Sequence, residues 1–175
     1  AIELFAQILS ALHLAHEAEI VHRDLKPANV FLVERHGCRP LVKLLDFGCT
    51  KGATGRCAPS GWSGSSLYAS PEQLRDPQGA PGDELSDIFA VGVMLFETLS
   101  GVHPFGGATV AETLDNIVHE QPADLQRLCG WLPAPLVGLV HRAIDERPSR
   151  RPQSAFEMQS ALSEVAGQVK DLGAG

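Results

Sequence analysis

The sequence predicts a mostly helical α+β domain with one small β hairpin. Three observations predict it: apolar residues at helical spacing near the start, two short apolar runs split by a polar turn, and one nearly continuous apolar stretch in the middle. Ile2, Phe5, Leu9, Leu12 and His16 recur three to four apart with Gln7, Ser10, His13 and Glu17 between them, so residues 1–19 read as an amphipathic helix facing a core. Val30 to Val33 and Leu41 to Leu45, flanking Arg35-His36-Gly37-Cys38-Arg39-Pro40, read as two short strands joined by a loop. Residues 86–100 are apolar on nearly every face, which places that helix at the domain centre, and Gly101 is suited to end it. Thr109 with Glu112 and Ser154 with Glu157 are capping boxes that open two later helices, and a further helix lies near 135–144. Lys51 to Ser66 is rich in Gly, Ser, Thr, Ala and Pro and has no periodicity, so it reads as a long surface loop.

Composition narrows the function classes. The chain has 175 residues, 44% hydrophobic and 20% charged, enough to bury a core without a disulfide or a metal. Its net charge of −7 argues against nucleic acid as the main partner and against an anionic membrane surface. Cys38, Cys49, Cys57 and Cys129 form no C-x-x-C pair, and this irregular spacing signals neither zinc nor a disulfide framework. No apolar run reaches the roughly 18 residues of a membrane span. A reducing, cytoplasmic setting is the expectation. His13 and His16, three apart on a helix, read as ordinary core or surface histidines rather than as a metal pair.

The chemistry lies between residues 21 and 72. Val21-His22-Arg23-Asp24-Leu25-Lys26-Pro27-Ala28-Asn29 fits the pattern H-R-D-x-x-x-x-N, and Asp46-Phe47-Gly48 begins seventeen residues after Asn29. Ser70-Pro71-Glu72 follows, then Asp87 at the start of the apolar helix and Arg151 before Pro152. An isolated Asp in a loop is usually a solvated turn residue. Five matches in one order and spacing reverse that reading.

With these motifs the chain resembles the large, C-terminal lobe of a eukaryotic-type (Hanks-type) serine/threonine protein kinase, and ten Arg against four Lys suggest a bacterial genome. The resemblance implies a kinase domain over 1–166, with the catalytic loop at 21–29, the activation segment at 46–72, and a tail at 167–175. It also implies roles. Asp24 would accept the substrate hydroxyl proton and Lys26 would offer a cation to the moving phosphoryl group, a Lys there being typical of Ser/Thr rather than Tyr kinases. Asn29 and Asp46 would supply hard oxygens to Mg²⁺ carrying ATP. Phe31 would form part of the floor under the adenine, and His22 would pack on Phe47 as a structural residue. Asp87 would hold the backbone of the catalytic loop, while Glu72 and Arg151 would form an ion pair bracing the activation segment. Arg23, next to Asp24, would be neutralised by a phosphate on that segment, with Ser63 the first choice of site and Ser65 kept free for Asp24 and Lys26. Departures from the family pattern are Glu19 where Gly is common, Ser65 where Thr is expected, Ser66-Leu67 where Pro often occurs, and Ser70 for the usual Ala.

No Gly-rich loop, strand lysine or partnering helix glutamate stands upstream of the catalytic loop in this sequence. The resemblance therefore implies a missing N-terminal lobe and a fragment inactive by itself. Ser/Thr-containing protein substrates, ATP and Mg²⁺ are the implied partners. The competing class is a non-catalytic, kinase-like binding module, but pseudokinases usually lose one catalytic residue and Asp24, Lys26, Asn29 and Asp46 are all present.

Overall fold

Residues 1–47, 64–75 and 82–172 are described by the computed structural model of the chain. Helix α1 (Ile2–Glu17) is followed by a two-stranded antiparallel sheet of β1 (Val30–Arg35) and β2 (Cys38–Leu44), and then by helices α2 (Pro71–Arg75) and α3 (Glu84–Ser100). Helices α4 (Val110–His119), α5 (Leu125–Leu128), α6 (Ala134–Ala143) and α7 (Ala155–Leu172) complete the described elements. This is a mostly helical domain with one small sheet. The expected loop from Lys51 lies outside the described residues as far as Ser63, and Gly64–Tyr68 forms a 3-10 turn.

The helix expected over 1–19 ends at Glu17, two residues early, because Glu19 is left-handed at φ 58°. The Glu19 N–H donates to the His16 carbonyl and the Ile20 N–H to that of Ala15 (2.8 and 2.9 Å), which is a Schellman termination. The strands are longer than their apolar runs. Pairing continues from Val30↔Leu44 to Arg35↔Cys38, leaving a tight turn at His36-Gly37 with Gly37 at φ 69°. The longer extent arises because backbone pairing does not need an apolar side chain: the ends of the hairpin are exposed. Gln7 on α1 fastens β2 by accepting from the Val42 N–H at 3.0 Å and donating to the Pro40 carbonyl at 3.1 Å.

Helix α3 is the hub. Every residue from Ser86 to Phe96 is buried, and the helix packs against α1, α6 and α7. Gly92 allows the closest approach: a Cβ there would stand 2.7 Å from Ile144 Cγ2 and 2.8 Å from Ala143 Cβ. Asp83 caps its start, accepting from the Leu85 and Ser86 N–H groups, and Gly101 ends it at φ 77°. In the two capping boxes Thr109 accepts from Glu112 N–H and Ser154 from Glu157 N–H, but each glutamate reaches back one residue further than the usual box, to Ala108 and Gln153. Among the described residues no helix is long and apolar enough to cross a membrane.

Candidate active site

The site is suspended from the first turn of α3. Asp87 is 1% exposed, and its carboxylate accepts the His22 and Arg23 backbone N–H groups, each at 2.8 Å. The His16 ring, brought in from α1, stands at 2.9 Å from Oδ2. Burying a carboxylate is tolerable only with such partners, and two backbone donors plus a ring nitrogen supply them. Because α3 is fixed on all sides by the core, residues 22 and 23 inherit its rigidity. Arg23 is held at φ 67°, a conformation rare outside glycine, which turns the chain sharply just before Asp24.

Beyond that turn the polar groups converge. Lys26 Nζ donates to Asp24 Oδ2 at 2.6 Å, and the Asp24 side chain is about half exposed (48%). Pro27–Asn29 forms a 3-10 turn that buries Asn29 and aims its Nδ2 at the Asp24 carbonyl, 2.8 Å away. That bond uses the donor end of the amide and leaves Oδ1 free to ligate. The Leu45 N–H donates to the Asn29 carbonyl at 2.9 Å, so the residue before Asp46 lies against Asn29. Asp46 is exposed and left-handed at φ 53°. His22 is fully buried, with Nε2 at 3.0 Å from the Leu45 carbonyl and its ring 4.8 Å from that of Phe47. It fastens the Arg23–Asp24 turn to the segment carrying Asp46 and has no route to solvent. Phe31 is 54% exposed on β1, and Leu32, Leu45 and Phe47 are likewise exposed.

Arg151 is buried and makes a two-pronged ion pair with Glu72 at 2.7 and 2.9 Å. Its remaining donors reach the carbonyls of Asp145, Leu85 and Glu146, and it lies 4.9 Å above the Phe89 ring. Burial raises the Glu72 carboxyl pKa, but the hydrogen bonds and charge of Arg151 outweigh it, and the net shift is downward. Tyr68 donates to Glu97 at 2.8 Å, and burial, reinforced by that carboxylate, pushes the phenol well above its ordinary value. Ser63 lies outside the described residues, and Ser65 is described only as part of the 3-10 turn.

Sequence reasoning overlooks four polar residues here. His16 reads from the sequence as an ordinary histidine, yet it is a partner of Asp87. Ser70, Gln73 and Ser86 form a hydrogen-bonded cluster between α2 and α3. The available signal is a Ser inside an otherwise apolar helix and a Ser where Ala is usual.

Comparison with known proteins identifies the family. The family model described as "Protein kinase domain" matches residues 1–163. The chain is 34% identical over 176 residues to "Serine/threonine-protein kinase PknB" of Mycolicibacterium smegmatis, covering 98% of this chain and 27% of that protein. It is also 34% identical over 172 residues to "Serine/threonine-protein kinase pkn3" of Myxococcus xanthus, covering 94% of this chain and 31% of that protein. The same identity holds with PknB of Mycobacterium tuberculosis strain H37Rv over 94% of this chain and 26% of that protein. The chain thus spans only between about a quarter and a third of the length of these relatives. The match over 163 residues, which takes in the anchored His22-Arg23-Asp24 turn, Asp46 and the Glu72–Arg151 pair, shows that the chain belongs to the protein kinase domain family.

Proposed function

We propose that this chain is the C-terminal, catalytic-loop-bearing part of a cytoplasmic serine/threonine protein kinase domain that transfers the terminal phosphoryl group of ATP, with Mg²⁺, to Ser or Thr hydroxyls of protein substrates. The domain limits are 1–166, with 167–175 as a tail. The observation that carries this reading is the hydrogen-bonded set of Asp24, Lys26 and Asn29, hung from buried Asp87 and adjoining Asp46. The Asp24 carboxylate accepts the proton of the attacking hydroxyl, and the hydroxyl oxygen takes the phosphoryl group as ADP leaves. Lys26, already 2.6 Å from Asp24, contributes positive charge beside the transferring group.

The residues present fit a magnesium ion. Asn29 keeps Oδ1 available, Asp46 is exposed, and among the described residues no cluster of three His, Cys, Asp or Glu forms a cage made of protein alone. Mg²⁺ prefers such a partial set, completed by phosphates and water. When bound it supplies charge neutralisation for the phosphates. Phe31, Leu32, Leu45 and Phe47 are exposed, and an N-terminal lobe would sit beside this part of the chain and close over the adenine, with Phe31 part of the floor. Arg23 is the cation to which a phosphate on the activation segment, at Ser63 first, would be drawn.

The test is labelled-phosphate incorporation by the full-length protein that carries this chain. Asp24→Asn lowers transfer by about 10²- to 10⁴-fold with ATP affinity within a few-fold, whereas Asp46→Ala weakens Mg²⁺-dependent ATP binding as well. Wild-type incorporation by Asp24→Asn would overturn the reading.

A further inference from the structure

Gln73, on the short helix α2, reaches two separate parts of the chain with the two ends of one amide. Its Oε1 accepts the Ser70 backbone N–H at 3.0 Å and lies 3.1 Å from Ser70 Oγ. Its Nε2 donates to the Arg23 carbonyl at 3.2 Å. The orientation of the amide is forced, because a backbone N–H can only donate and a carbonyl can only accept. The Arg23 carbonyl belongs to the peptide that joins Arg23 to Asp24. Asp87 fixes the N–H of Arg23 at 2.8 Å, and Gln73 fixes its carbonyl, so the left-handed turn before Asp24 is held at both ends.

The fit around that amide is close. Ser70 is fully buried, and its Oγ lies 3.2 Å from Ser86 Oγ, which in turn donates to Glu72 at 3.1 Å. Gly82, at φ 75°, comes so near that a Cβ on it would stand 2.6 Å from Gln73 Nε2, and its carbonyl accepts from Arg23 Nε at 3.3 Å. The Ser70 backbone N–H, with the Arg23 carbonyl, holds the Gln73 amide in this orientation, while the single Ser70 hydroxyl proton ties Ser70 to Ser86, whose own proton goes to Glu72.

We propose that Gln73 is a positioning residue for phosphoryl transfer, oriented by Ser70, which sets the Arg23–Asp24 peptide and so couples the placement of Asp24 to the anchored end of the activation segment. This rests on the reading of Asp24 as the proton acceptor. The variant that isolates the effect is Gln73→Glu, nearly equal in shape. It still accepts from Ser70 but sets a carboxylate oxygen against the Arg23 carbonyl.

In the full-length protein Gln73→Glu lowers kcat by about 10- to 100-fold, the scale of a misplaced catalytic group, with KM for ATP within about twofold by the same argument. Part of the loss recovers as pH falls toward 5, because the introduced carboxyl, once protonated, regains a donor for the carbonyl. Ser70→Ala keeps the Nε2 donor and loses less. A second readout needs no activity: hydrogen exchange at the His22 and Arg23 amides quickens in Gln73→Glu while the thermal midpoint stays close to wild type. Wild-type kcat and unchanged exchange in Gln73→Glu overturn the proposal, as does a loss that appears equally in KM and the thermal midpoint without low-pH recovery. Should Gln73→Glu fail to fold, Gln73→Met, which removes both ends of the amide, decides on the same two readouts. A wild-type protein that transfers no phosphate would instead refute the kinase reading, and the exchange experiment would still decide the role of Gln73.

Discussion

Glu19 shows how a single residue departs from its family and at what cost. It occupies the left-handed position that ends α1, at φ 58°, where the family commonly has Gly. A side chain there costs about 1–2 kcal/mol in backbone strain, partly offset by the freedom a glycine would lose on folding. Glu19→Gly is therefore expected to stabilise the chain by about 1 kcal/mol, raising the thermal midpoint by roughly 2–4 °C in calorimetry. An unchanged or lower midpoint would show that the strain is relieved elsewhere. The identities of Asp24, Lys26, Asn29 and Asp46 were legible because they lie in short, ordered motifs. Gln73 was not, since its partner Arg23 is 50 positions away and no local pattern announces a bond across that distance.

At the scale of elements, α3 carries both the core and the candidate site, so its contacts with α6 and the Glu72–Arg151 bridge decide whether the Arg23–Asp24 turn is held. Gly92→Ala places a methyl within 2.8 Å of Ala143 Cβ and is expected to destabilise by about 1–3 kcal/mol through overpacking. Urea unfolding should show a lower midpoint with an unchanged slope, and a wild-type midpoint would mean that α6 shifts freely. Removing Arg151, by Arg151→Met, leaves the Glu72 carboxylate without its cation and is expected to cost about 3–5 kcal/mol, measured in the same way. The central position of α3 could be read from its unbroken apolar run, and Gly101 gave its end. The strand ends and α5 could not. Cys38–Pro40 is exposed and pairs through its backbone, while Leu125–Leu128 is a single turn fixed by the Asp124 cap and too short to display a period.

For the whole molecule the sequence order of motifs implied which segments meet, but not how charge and protonation hold them together. Two histidines make that link testable. His103 accepts the Phe105 N–H on Nδ1 while Nε2 donates to the Leu67 carbonyl (3.1 and 3.0 Å), and His141 accepts the Leu125 N–H on Nε2 at 3.2 Å. Both bonds need a neutral ring, since protonation would set one N–H against another. Burial accordingly lowers both pKa values, outweighing the Leu67 carbonyl and Glu97 at His103 and Asp124 at His141. The unfolded chain takes up these protons near pH 6.5, before the folded one does. As pH falls below that value the unfolded state therefore binds more protons, and stability falls until the folded histidines titrate. Glu72 adds a second, separate step. Its folded pKa is also lowered, so its contribution is present above the unfolded value of 4.5 and is lost as pH falls from there through the folded value. The thermal midpoint should thus decline as pH falls through about 6.5 and decline further below pH about 4.5 as Glu72 is protonated. Each lost histidine bond is worth about 1 kcal/mol, or roughly 2–4 °C. His103→Gln with His141→Gln should flatten the first decline and leave the second, whereas Arg151→Met should weaken the second and leave the first. A midpoint that does not fall as pH drops through about 6.5, or a first decline unaltered in the histidine double variant, would mean that the bonds from the Phe105 and Leu125 N–H groups do not hold these rings neutral.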